Sequence, residues 1–275
     1  MANIAEYNFE DEVAMVRVDF NVPLNDVFEI TDDTRMRAAL PTINKITNDG
    51  GIAVLMSPLG RPKEREEKFS LKHLVAHLEV LTGKKVHFAE DCIGDVARTT
   101  VESANSGEIV LLNNTRYYKE EKAGDENFAK ELASLGDVFV NDAFGTAHRA
   151  HASTTVMAHY FENKMFGYLL QNEVDSLDKA LNSKERPFTA IVGGAKVSDK
   201  VQVIENMIER ADNVIVGGAM AYTFKAAAGG KVGKSLVEED KYELARTLIA
   251  RAEEKGVKLL LPIDSKVAAD FANDA

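Results

Sequence analysis

A single cysteine, Cys92, among 275 residues excludes an internal disulfide framework and fits a reducing cytosol. Cys92 reads as a small buried or half-buried residue and not as a nucleophile. No apolar run reaches the length of a membrane span. The opening stretch MANIAEYNFEDEV is acidic and lacks the basic segment followed by an apolar one that marks a secretory signal. Together these absences place the chain in the cytoplasm, away from membranes. Basic residues are also in deficit, 33 against 44 acidic, for a net charge of −11. That balance excludes a general nucleic-acid binder, which would present a basic face. It does not exclude small anionic ligands, because salt screens distant charge and a few local arginines dominate at short range. What remains is 45% hydrophobic and 28% charged, the composition of a globular chain long enough for two domains or one large one.

Short β-branched or apolar runs alternate with amphipathic stretches along the whole length. The runs predict strands over Val13–Phe20, Ile52–Met56, Ile109–Leu112, Val138–Asn141, Phe188–Val192, Asn213–Val216 and Lys258–Leu261, with a weaker signal at Val86–Ala89. Helical periodicity covers Arg37–Thr47, Leu71–Thr82, Asp125–Ala133, Gly167–Asn182, Ser198–Ala211 and Glu238–Lys255. Such alternation reads as βαβ units on parallel sheets, an α/β fold with helices on both faces. Ligands in these folds bind beyond the carboxyl ends of the strands, so the loops after each strand are where chemistry is expected.

Four of the first six such loops carry an arginine: RVDFNVP (Arg17–Pro23), SPLGRP (Ser57–Pro62), NNTRYYKEE (Asn113–Glu121) and NDAFGTAHRAHAST (Asn141–Thr154). Arginine's planar fork suits bidentate contact with phosphate and carboxylate. In the last of these loops Asp142, His148, Arg149 and His151 crowd together, which fits anion binding but also an ordinary polar surface loop. The remaining two loops differ. GGAKVSDK (Gly193–Lys200) and GGAMAYTF (Gly217–Phe224) each run from a strand through a glycine pair toward a helix. Val197, Val201, Ile204 and Ile208 form the buried stripe of the first, and a helix starting early would put Lys196 and Lys200 on one side near its N-terminus. Glycines let a ligand approach the backbone, and lysines add mobile charge, so the pair points to nucleotide phosphate. Glycine needed for turn conformation alone is the competing reading. The change of loop character falls across Phe161–Ser183, where a helix would join two domains.

Two patterns are set aside. GGKVGKS (Gly229–Ser235) resembles a phosphate loop, but Ala228 stands where the pattern needs glycine and the segment follows a helix. His73 and His77 are spaced like zinc ligands on a helix, but no third ligand is apparent, and a solvated face is expected.

RVDFNVP, DDTRMRAALPTI, SPLGRP, LLNNTRYYKEE, DVFVNDAFGTAHRAHAST, GGAKVSDK and GGAMAYTF occur in the order found in phosphoglycerate kinases, and the chain resembles that family over essentially its entire length. The resemblance implies two doubly wound, Rossmann-like parallel-sheet domains joined by a helix, the second incomplete. Residues 1–166 would form the 3-phosphoglycerate domain, 167–183 the connecting hinge helix and 184–275 part of a domain for MgATP or MgADP. It implies reversible phosphoryl transfer between ATP or ADP and 3-phosphoglycerate or 1,3-bisphosphoglycerate on closure of the hinge. The implied substrate site is Asp19, Phe20, Asn21, Arg35, Pro58, Leu59, Gly60, Arg61, Arg116, His148 and Arg149. Arg35 would stand nearest the reacting carboxyl group, and Arg61, Arg116 and Arg149 would clamp the distal phosphate. Gly194, Ala195, Lys196, Lys200, Gly217 and Gly218 would hold the nucleotide. Arg35, Lys196 and Lys200 would be the catalytic cations, with Mg²⁺ carried by the nucleotide and no metal ligand in this chain.

Three departures shape the expectations. Pro58 stands where the family has a histidine that contacts substrate, and Asn113 where it has glutamate, so both sites are expected to be weakened. The chain ends at FANDA, short of the family's later phosphate loop and magnesium ligand, so little or no turnover is expected, and self-association is possible in a family that is normally monomeric. A non-catalytic module that binds phosphoglycerate or another anion is the alternative.

Overall fold

The computed structural model describes residues 2–182, 184–266 and 268. Ser183, at the end of the expected connector, and residues 271–275, at the end of the expected second domain, lie outside the described residues. The chain divides between Ser176 and Leu177 into two compact units.

The first unit is built on six parallel strands, β1 (Val13–Arg17), β2 (Ile52–Met56), β3 (Val86–Ala89), β4 (Ile109–Leu112), β5 (Val138–Asn141) and β6 (Lys164–Phe166). They lie in the order β3-β4-β2-β1-β5-β6. β1, β2, β4 and β5 are almost wholly buried, because helices cover both faces of the sheet and leave no polar side to alternate with. On one face Ala14, Val16, Leu55 and Leu111 pack with Met36, Ile43 and Ile46 of α1 (Thr34–Asn48) and with Leu78 of α2 (Val75–Thr82). On the other, Met15, Val54, Val110 and Phe139 pack with Ala97 and Val101 of α3 (Gly94–Glu102) and with Phe128 and Leu132 of α5 (Glu126–Ala133). Between them α4 (Lys119–Ala123) is a single charged turn closed by Gly124 in the left-handed conformation. This is the doubly wound arrangement expected. Its chain order places β1 at the centre, with β2 on one side and β5 on the other, where a crevice opens at the carboxyl ends.

The connector α6 (Tyr168–Asn182) begins just after β6 and crosses the division between the units. The second unit carries three parallel strands, β7 (Thr189–Gly193), β8 (Asn213–Gly217) and β9 (Lys258–Leu260), in that order. Ala190, Val192, Val214 and Val216 form one core with residues of α7 (Val201–Ile208), α8 (Met220–Ala227) and α9 (Tyr242–Lys255). On the opposite face of that sheet Ile191 and Leu260 stay exposed.

The boundaries differ from the sequence reading where side chains intercept backbone groups. β1 stops at Arg17 instead of Phe20: Val18 N still donates to Met56 O, but Phe20 N is taken by Ser57 Oγ at 2.7 Å. The helix expected over Ser198–Ala211 shortens to α7, because the Glu238 carboxylate accepts from Ser198 N (3.1 Å) and Oγ (2.6 Å) and holds residues 198–200 outside it. Leu71–Leu74 is a 3-10 turn ahead of α2, with Ser70 Oγ capping Lys72 N. The strand β6 and helices α3 and α4 went unread, each short or mostly polar. His73 and His77 are not on a solvated face. His73 stacks on Phe28 with ring centroids 4.4 Å apart, and His77 Nε2 meets Asp33 Oδ2 at 2.7 Å.

Cys92 is fully buried against the second face of the sheet, and burial pushes its thiol well above its ordinary pKa. A thiol held protonated and shielded does not attack. We expect no labelling by Ellman's reagent at pH 8 in the folded protein and one equivalent in denaturant. Rapid labelling without denaturant would show that this face opens.

Candidate functional site

The loops after β1, β2, β4 and β5 converge with the first turn of α1 on a cleft of about 610 Å³. Its walls carry Arg35, Arg61, Arg116, Lys122 and Arg149, against one carboxylate, Asp19. Arg35 Nη1 pairs with Asp19 Oδ2 at 2.5 Å, so that carboxylate is already committed. Among the described residues the side chains of Arg61, Lys122 and Arg149 donate no hydrogen bond and form no ion pair. A cluster of uncompensated cations is a receptor for a multiply charged anion.

Backbone and amide contacts fix this geometry. Asn21 Oδ1 accepts from Gly60 N at 2.7 Å, and Arg116 Nη1 donates to Gly60 O at 2.6 Å, so Gly60 ties the β1 and β4 loops together. Gly60 has φ +59°, and a β-carbon there would sit 2.2 Å from the Phe69 ring, so only glycine fits. Asn114 uses its whole amide: Oδ1 accepts from Leu59 N and Arg116 N, and Nδ2 donates to Leu59 O and Phe69 O.

Beneath the cleft lies a buried cation. Arg17, at the end of β1, is 1% exposed and donates to Ser153 Oγ (2.8 Å) and Val18 O (2.5 Å). Ser153 in turn donates through Oγ (2.6 Å) and N (2.9 Å) to Glu121, also 1% exposed. Burial lowers the pKa of Arg17, an effect the Glu121 charge opposes. Arg116 is lowered by burial too; Asp19 opposes this and Arg149 adds to it. His151 lines the same cleft with Nδ1 4.0 Å from Glu121 Oε1. Burial holds it below the ordinary histidine range, Glu121 pulls the other way, and Arg149, Arg17 and Arg116 lower it further.

In the second unit the two glycine loops lie side by side, Gly193 in register with Gly217 and Met220 N donating to Gly194 O at 3.0 Å. Gly218 has φ +69°, and a β-carbon there would meet Gly194 O at 2.7 Å, so its glycine is a demand of the fold. Gly217 is different: a β-carbon there would meet nothing within 4 Å, so the space above it is open to a ligand. Lys200 folds over Gly194, while Ala195 and Lys196 are exposed. Lys200 is the residue before α7, with non-helical backbone, so the two lysines do not share a helix side as expected.

A family model described as phosphoglycerate kinase matches residues 4–275. The chain belongs to the phosphoglycerate kinase family. A phosphoglycerate kinase of Porphyromonas gingivalis is 49% identical over 297 residues, covering 99% of this chain and 71% of that protein. One of Anaeromyxobacter sp. is 53% identical over 258 residues, covering 93% of this chain and 65% of that protein. Among solved structures, the phosphoglycerate kinase from Coxiella burnetii superposes with a TM-score of 0.84 at 38% identity, covering 94% of this chain and 65% of that one. That from Pyrococcus horikoshii OT3 gives 0.74 at 31%, covering 93% and 64%. The chain thus spans about two thirds of the length of these relatives.

Of the substrate residues that the phosphoglycerate kinase resemblance implied, Asp19, Asn21, Arg35, Gly60, Arg61, Arg116 and Arg149 line the cleft. Phe20, Pro58 and Leu59 do not; all three are buried, Phe20 and Leu59 in the apolar core. His148 faces a neighbouring apolar cavity with Phe139, Phe166 and Leu170. Asn113 is no weakened contact either: Oδ1 accepts from Leu71 N and Asn114 N, and Nδ2 donates to Glu90 O at 3.2 Å, which a carboxylate cannot do. Sequence reasoning did not place Arg17, Glu121, Lys122 or Thr146 in the site, and it named His151 only as part of a crowded loop that fits anion binding. Arg17 and His151 stand inside loops already singled out, and the signal available was their position, not their spacing.

Removing one member of a buried ion-bearing link strands the other, at a cost of about 3–5 kcal/mol. Glu121→Ala is therefore expected to lower the unfolding free energy by about that amount in urea titrations. An unchanged midpoint would show that Arg17 is compensated elsewhere.

Proposed function

We propose that the chain carries the acid-binding half, and part of the nucleotide half, of a phosphoglycerate kinase. The reaction is reversible transfer of a phosphoryl group between ATP and the carboxylate of 3-phosphoglycerate, giving ADP and 1,3-bisphosphoglycerate. The observation that carries this reading is the convergence of four arginines and a lysine on one cleft that offers them a single carboxylate. Residues 1–166 act as the phosphoglycerate domain, 167–183 as the connector and 184–275 as nucleotide domain, in a cytoplasmic enzyme.

The acceptor is already an anion, so no general base is required, and catalysis rests on positioning and charge neutralisation. Arg35, steadied by Asp19, takes the carboxyl end, where charge develops. Arg61, Arg116 and Arg149 present forks to the phosphate. In the second unit the open backbone at Gly217 receives the nucleotide, and Lys196 and Lys200 reach its phosphates as mobile point charges, with Mg²⁺ travelling on the nucleotide.

Calorimetric titration of 3-phosphoglycerate is expected to show saturable binding to the wild-type chain that Arg149→Ala reduces at least tenfold. Absence of wild-type binding overturns the reading; binding indifferent to Arg149→Ala moves the phosphate elsewhere. A second expectation concerns pH. His151 begins below its ordinary pKa, and a bound phosphate raises it, so the complex takes up a proton between the two values. Wild-type affinity should therefore gain on that of His151→Gln as pH falls, and heats in buffers of different ionisation enthalpy should report a proton uptake that the variant lacks.

A further inference from the structure

We infer that Lys122 is a phosphate-contacting residue of the cleft, an additional point charge beside the arginine forks. This rests on the reading of the cleft as a phosphoglycerate site. Lys122 lines the cleft wall together with Arg149, Thr146 and His151. It is exposed, and among the described residues its ammonium has no hydrogen bond and no ion pair. That freedom has a local cause. Helix surfaces pair charges three or four residues apart, and Asp125 and Glu126 stand at those distances from Lys122. Gly124, at φ +67°, ends α4 directly after Ala123 and sends both acids into the next helix. Asp125 there caps α5 through Phe128 N at 2.9 Å. The neighbouring acid on α4, Glu121, turns inward to Ser153 and leaves Lys122 without a partner.

The position of Lys122 is also set firmly. The Glu121–Ser153 bonds fasten α4 to the loop that carries Arg149 and His151. Gly124 packs so closely on that loop that a β-carbon would lie 2.5 Å from Ala150 O. The backbone of Lys122 is thus held against the Arg149 loop, while its flexible side chain lines the cleft. A lysine in this role adds attraction to charge without imposing bidentate geometry. Its effect should therefore scale with the charge of the ligand and leave a ligand without phosphate nearly untouched.

The test is calorimetric titration of 3-phosphoglycerate, with glycerate as the ligand lacking phosphate, into wild-type chain and into the Lys122→Ala, Lys122→Glu, Lys122→Arg and Arg149→Ala variants. Alanine is a good helix former at an exposed position, and thermal melts check that each variant folds. Lys122→Ala is expected to weaken 3-phosphoglycerate by about tenfold, the scale of one charge-assisted contact. Lys122→Glu should weaken it more, Lys122→Arg should restore most of it, and the salt dependence of binding should become shallower in Lys122→Ala. An unchanged affinity in Lys122→Ala beside a loss in Arg149→Ala overturns the role of Lys122 and leaves the phosphoglycerate reading standing. Equal weakening of glycerate and 3-phosphoglycerate also overturns it, since the lysine would then not address the phosphate. No binding of 3-phosphoglycerate by the wild-type chain overturns both.

Discussion

A guanidinium without water at the end of the central strand is the constraint on which the first unit depends. Arg17 closes β1 and is almost inaccessible to solvent, so its charge must be answered inside the protein. The answer is relayed: Arg17 donates to Ser153, and Ser153 donates to Glu121. That relay joins three separate pieces of chain, the strand β1, the short helix α4 and the loop after β5. Two of them carry side chains that face the cleft, Lys122 on α4 and Arg149 with His151 on the loop. Electrostatic accounting under the floor of the site thereby sets the distances between charges on its surface. Arg17 and Glu121 both reach His151 from below with opposite sign, Glu121 the more strongly, so the positive character of the cleft comes from its walls and not from its floor.

Around that floor, neutral amides do what ion pairs would do badly. Asn21, Asn113 and Asn114 each bind backbone groups of a different loop, and Asn114 meets both strands of loop that flank it with donor and acceptor alike. Using amides for structure leaves the arginines and Lys122 unspent, and a single acid, Asp19, is retained where it steadies Arg35. The division of labour explains why a chain with net charge −11 can still hold a concentrated positive site.

Much of this was legible in the residues. Strand-forming runs from Ile52, Val86, Ile109 and Val138 matched the observed strands because both faces of that sheet are covered and its strands are mostly apolar. The arginine-bearing loops stood out for the same reason, as polar interruptions directly after such runs. What stayed hidden depends on side chains meeting backbone far away in sequence. Phe20 leaves the strand because Ser57 intercepts its amide, and α7 starts late because Glu238 captures Ser198, separated by 37 and 40 residues. Periodicity cannot report such contacts. Pro58, Leu59 and His148 sat in the right motifs but point away from the cleft, since a motif specifies a loop and not which of its side chains face inward.

Under the proposed function the two units would hold phosphate in different ways, and the difference follows from what each ligand demands. In the first unit the charges sit on arginines braced by loops, which suits a small acid that must be oriented at both ends. In the second, glycine backbone at Gly217 and two lysines offer little fixed geometry, and Lys200 already lies over Gly194 instead of standing clear. A polyphosphate that brings its own metal ion needs access and compensating charge more than a rigid fork. On that argument, under the proposed function, the precision of the reaction would reside in the first unit, and the amide and buried-charge relays there are what would keep the acid aimed.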